Sequence, residues 1–104
     1  MDLEVGQLVK SLSGRDKGKL YLVIGFAGDR VLLADGRSRK VKNPKKKNSK
    51  HLQPYRVVRD EIKERFRQGD LEDTVIRNIL KSLLAEADEN HHYPCLESSS
   101  SNGG

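Results

Sequence analysis

Basic side chains crowd one stretch of this chain: of the fourteen residues at 37–50, RSRKVKNPKKKNSK, eight are Lys or Arg and none is acidic. They are Arg37, Arg39, Lys40, Lys42, Lys45, Lys46, Lys47 and Lys50, with Arg30 just upstream. A protein interior cannot hold so many charges, since each desolvated ammonium or guanidinium needs a partner. The run must face water or a polyanion, and nucleic acid is the polyanion that suits such a run on a folded module. A solvated surface run or a nuclear-localisation-like peptide is the plainer reading of the same residues. Lysines offer point charges, whereas Arg37 and Arg39 carry forked donors for phosphate or a guanine edge. Lys45, Lys46 and Lys47, after Pro44, read as a flexible loop that orders against phosphate. His51 has two readings, a base or phosphate contact and a histidine packed in a turn.

A second candidate lies at 13–19, SGRDKGK. A Walker A loop needs four residues between its glycines and then Lys-Ser/Thr. Here three residues separate Gly14 from Gly18 and Leu20 follows Lys19, so no hydroxyl is placed for magnesium. The segment is either an ordinary hairpin loop or a grip on RNA phosphates by Arg15, Lys17 and Lys19. His91, His92 and Cys95 (HHYPC) offer metal-ligand types without a fourth partner nearby, a thin basis for a metal site. The acids of 60–73 suit helix caps and solvated faces better than a general acid–base pair. No nucleophile, base and orienting group stand in a recognisable arrangement. The expectation is a protein that is not an enzyme, with no cofactor and no small-molecule substrate. Tyr21, Phe26 and Tyr55 are the candidate stacking aromatics, and Phe26 is assigned to the core. Such scarcity favours recognition of structured RNA through shape and backbone over reading of single-stranded bases.

The charge is unevenly spread. Residues 1–56 carry 14 Lys/Arg against 5 Asp/Glu, a net of +9, while residues 57–104 carry 6 against 10, a net of −4. The polyanion partner therefore belongs to the front half. A lone cysteine, Cys95, leaves no internal disulfide and fits a reducing compartment. The longest apolar run, 20–27, is too short to span a bilayer, and no signal peptide opens the chain. These features predict a soluble, cytoplasmic protein without a membrane partner.

The elements that must carry the cations are short strands between tight turns. Strands are expected at 7–12, 19–26, 30–34 and 37–42, with a last one through 51–53 or 55–57. In the second, Leu20, Leu22, Ile24 and Phe26 share one face while Tyr21 and Val23 take the other, which predicts a central strand covered on both sides. Asp35-Gly36 marks a hairpin turn. Five short strands within about fifty residues point to a small closed or nearly closed barrel, which removes exposed sheet edges. After Pro54 the period changes. Val58, Ile62 and Phe66 predict a helix over 60–67 stopped by Gly69. Asp70 can cap a second helix, with Asp73 in an approximate capping box. That helix bears Leu71, Val75, Ile76, Ile79, Leu80, Leu83 and Leu84 along one stripe, which either covers an open side of the barrel or meets a protein partner. Its acidic flanks, Asp70, Glu72, Asp73 and Glu86, would repel RNA. The segment 98–104, SSSSNGG, reads as a disordered tail.

The stretch QLVKSLSGRDKGKLYLVI, at 7–24, resembles the KOW motif of several ribosomal proteins and of transcription elongation factors of the NusG type. Asp35-Gly36-Arg37-Ser38-Arg39-Lys40-Val41, followed by Asn48-Ser49-Lys50-His51-Leu52, is similar to a layout in large-subunit ribosomal proteins of the fourteen-e type. It is closer to short bacterial KOW-domain RNA-binding proteins related to them. The likeness spans residues 4–57, and the chain departs from the ribosomal family in its short acidic helical extension. The resemblance implies an SH3-like barrel at 1–57; with the helical pair at 58–87 and the tail at 88–104 that periodicity and composition give, the expected fold is mainly β with C-terminal helices. It also implies binding to ribosomal RNA in ribosome-linked or translational work. The face would comprise Arg15, Lys17, Lys19, Arg30, Arg37, Arg39, Lys40, Lys42, Lys45, Lys46, Lys47, Lys50 and His51. A protein-interaction adaptor, or a transcription-associated module using the helical extension, is the alternative, with a ribosomal or other protein bound through 71–84.

Overall fold

A computed structural model describes the backbone of residues 3–90 and side chains as far as Ala85. Five strands, β1 (Gln7–Ser11), β2 (Leu20–Ala27), β3 (Arg30–Ala34), β4 (Lys45–Asn48) and β5 (Leu52–Val58), form one antiparallel sheet in the order β4-β3-β2-β1-β5. A 3-10 turn, Ser49–His51, joins β4 to β5, and helices α1 (Asp60–Gln68) and α2 (Asp73–Asn90) follow. The chain is a mixed α/β protein, not a mainly β one. No helix among the described residues is long and apolar enough to cross a membrane.

The alternation in β2 sorts its side chains as the sequence predicts. Leu22 and Ile24, with Leu8, Ala34 and Tyr55, pack under Ile62 of α1 and Ile76, Ile79, Leu80 and Leu83 of α2. Tyr21 and Val23 join Val9, Val31, Leu33 and Leu52 in a second cluster on the opposite face. The sheet is not closed into a barrel, but its edge strand β4 reaches across that second face. Lys47 of β4 donates to the carbonyl of Ser13, which follows β1 (2.8 Å), and the Leu12 amide donates to the His51 carbonyl (2.9 Å). Irregular register between Gln7 and Val9, and between Val23 and Gly25, adds local bends.

The apolar stripe of α2 is spent on the sheet, the first of its two expected uses. Among its described apolar side chains of leucine size, Leu84 alone is half exposed. The first helix ends as foreseen, with Gly69 left-handed at φ 79° and its amide bonded to the Phe66 carbonyl.

Several expectations need correction. Residues 37–42 form no strand, because Asp35 captures the backbone amides that a ladder would need. The fourth strand is Lys45–Asn48, the segment expected to be a flexible loop. The two candidate last strands are one, with Pro54 inside it on the edge strand β5. Phe26 is not core but 50% exposed, since the irregularity at Gly25 breaks the alternation before it. The second helix begins at Asp73 rather than after Asp70, and the Asp73 carboxylate serves another segment. The HHYPC group and the serine-rich tail lie outside the described residues.

Candidate nucleic-acid interface

The loop at 12–19 closes around a buried acid. Ser11 Oγ donates to Asp16 Oδ1 (3.0 Å), Tyr21 OH to Oδ2 (2.9 Å), and Lys47 Nζ to Oδ1 (3.0 Å), while Lys45 Nζ lies 3.7 Å from Oδ2. Burial alone would raise the Asp16 pKa, but the hydrogen bonds from Lys47, Tyr21 and Ser11 and the Lys47 charge outweigh it. The carboxyl is held well below the usual carboxylate range. Burial first, then the bond to Asp16, pushes the Tyr21 phenol above its ordinary value and keeps it a proton donor. Gly14, at φ 85°, completes the enclosure beside Lys47 Nζ and Asp16 Oδ1.

A second inward-turned acid shapes the connection from β3 to β4. Asp35 Oδ1 accepts from the amides of Arg37 and Arg39 (2.9 Å each), and Oδ2 from Ser38 Oγ (3.2 Å), with Lys19 Nζ 3.9 Å away. These groups overcome burial and hold its pKa below the ordinary value. The start of α2 locks the same connection. Asp73 Oδ1 accepts from the Val41 amide (2.8 Å), and Arg77 Nη1 donates to the Gly36 carbonyl (2.7 Å). Gly36 sits so close to the helix that a Cβ there would lie 2.5 Å from the Asp73 carbonyl oxygen.

These contacts bring separate basic segments together. Lys19 Nζ donates to Ser38 Oγ (3.3 Å), joining the start of β2 to the loop of Arg37 and Arg39, while Lys45 and Lys47 join β4 to the loop of Arg15 and Lys17. The bond from Leu12 to His51 sets the turn of Lys50 and His51 beside that loop. Arg15, Lys17, Lys19, Arg37, Lys40, Lys42, Lys46 and Lys50 are exposed, and Arg39, Lys45 and His51 half-buried. Period two splits the lysine triad: Lys45 and Lys47 lie opposite Leu33 and Val31, on the Asp16 side, and Lys46 opposite Leu32 on the other. Lys47 is buried and committed to Asp16. Arg30, exposed beside Asp29, belongs to a different hollow of about 240 Å³ lined also by Leu3, Phe26 and Ser49.

Sequence reasoning missed Asp16, Asp73 and Arg77 as the groups that position these cations. The available signal for Asp16 was an acid between two bases in a glycine-bracketed loop, with Ser11 and Tyr21 on the flanking strands. Asp35 was seen as a turn residue, but not as the acceptor that arrests a strand. Among the described residues no three His, Cys, Asp or Glu side chains are grouped to hold a metal ion. No protein-family model and no curated protein matches the chain.

Proposed function

We propose that this chain is a non-enzymatic, cytoplasmic RNA-binding protein whose curled sheet is an SH3-like barrel of the KOW kind, acting on structured, ribosomal RNA. The observation that carries the reading is how charge is sorted between interior and surface. Of the three acids between Leu12 and Lys50, Asp16 and Asp35 turn inward and spend their oxygens on local donors, while most of the bases remain outside. The field presented by this face is therefore cationic, and phosphate is the complementary group. The strand order, and the reach of β4 across to the loop after β1, support the barrel reading. The adaptor alternative loses its main surface, because Ile76, Ile79, Leu80 and Leu83 are buried on the sheet.

The test is binding of ribosomal RNA across a salt series by the parent and by a variant with Arg37, Lys40, Lys42 and Lys46 changed to Gln. The reading expects salt-sensitive binding in the parent and a weaker, flatter response in the variant. Equal binding by both would remove this face from the mechanism, and no binding to RNA in dilute buffer would end the reading.

A further inference from the structure

The seam between α2 and the sheet holds a groove of about 350 Å³ lined by Lys19, Leu20, Asp35, Arg37, Arg77, Leu80, Lys81 and Leu84. Leu20, Leu80 and Leu84 supply an apolar bed, and four cations stand around it. Asp35 is the one acid among the described residues of the lining, and its oxygens already accept from Arg37 N, Arg39 N and Ser38 Oγ, with Lys19 Nζ 3.9 Å away. Lys19 and Arg77 each keep donors beyond those given to Ser38, Gly36 and Thr74. An occupant must therefore carry negative charge and a flat or apolar body.

The groove is continuous with the basic connection at 35–42 through Lys19, Asp35 and Arg37. From this position we infer that it receives one unpaired nucleotide of the bound RNA, its base over the leucines and its phosphates on Lys19, Arg37 and Lys81. This inference rests on the RNA-binding reading and deepens it: the RNA class is a helix interrupted by a bulged or flipped-out nucleotide. It also reverses the expectation that the helical extension stays off RNA. Asp73, in the first turn of α2, accepts from Val41, whereas Arg77 and Lys81 line the seam. A base laid against apolar side chains or a guanidinium plane, as flipped-out bases are held, contributes about fivefold, the bottom of the range for stacking on an aromatic ring.

The experiment compares a continuous RNA duplex with the same duplex carrying a single-nucleotide bulge. The proteins are the full chain and the double variant L84Q/K81Q, both positions being exposed. The expected result is tighter binding of the bulged RNA by the parent, about fivefold, and loss of that preference in the variant with duplex affinity within twofold of the parent's. Circular dichroism of the variant guards against a fold defect, and L84M, which keeps the apolar bed, should retain the preference. Equal affinity of the parent for both RNAs, or a preference that survives in the double variant, overturns the inference and leaves the RNA-binding reading standing. Failure of the parent to bind either RNA overturns both.

Discussion

At the scale of single residues, the chain uses its charges in two opposite ways. Lys47 and Asp16 form an ion pair with each side chain only 10% exposed, and such a pair is sensitive to loss of one partner. Lys47→Ala should leave the buried carboxylate without its hydrogen-bonded cation, Lys45 remaining 3.7 Å away, and lower unfolding stability by about 2 kcal/mol. Lys46→Ala, one residue away and exposed, should stay within about 0.5 kcal/mol of the parent. Urea titration of the two variants checks the contrast. Asp16 also makes stability depend on acidity. Its folded pKa lies below the unfolded value, so its contribution is fully present above an unfolded value of about 3.9 and is lost as pH falls through the folded value. Asp16→Asn should therefore be less stable than the parent at neutral pH and lose less on acidification below about pH 4, followed by far-ultraviolet circular dichroism. A parallel acid profile for the two proteins would contradict this account.

At the scale of elements, α2 does two things at once. It covers Leu22, Ile24 and Ala34, and its first turn holds the basic connection through Asp73 and Arg77. Gly36 lets the two approach, at φ 78° and with no room for a Cβ. Gly36→Ala should cost about 2 kcal/mol, through left-handed strain and displacement of the helix. Asp73→Ala should remove one hydrogen bond, cost about 1 kcal/mol, and expose the Val41 amide to faster hydrogen exchange. A chain ended at Gly69 uncovers one face of the sheet and should bind a hydrophobic dye without a cooperative thermal transition. If that shortened chain melted cooperatively at the parent's temperature, α2 would not be part of the core.

At the scale of the whole molecule, folding turns Asp16 and Asp35 inward and leaves most of the bases of 15–50 exposed. Binding that neutralises about six phosphates of duplex-like RNA should show a log–log salt slope of roughly −5. Each exposed cation of 15–50 that contacts phosphate should, when changed to Gln, flatten that slope by about 1, whereas Lys47→Gln should act through stability and leave the slope of the folded fraction unchanged. Fluorescence anisotropy of labelled RNA at stepped salt concentrations separates the two cases.

The sequence by itself determined the elements whose signals are local. The alternation of 20–24 placed Leu22 and Tyr21 on opposite faces, Gly69 ended the first helix, and the stripe through Ile76, Ile79 and Leu83 demanded a surface to cover. It also located the cations, because a run without acids cannot be buried. Tertiary structure alone decided which cations remain available. Lys45, Lys46 and Lys47 are chemically alike, and what separates them is a carboxylate 31 residues away from Lys47 that only a curled sheet brings within 3.0 Å. The stretch at 37–42 alternates as a strand would, yet the Asp35 oxygens and the Asp73 carboxylate take its amides. Short-range periodicity registers neither a turn acid that takes amides two and four residues on nor a carboxylate distant in sequence; the missing strand arises from both, the buried lysine from the second.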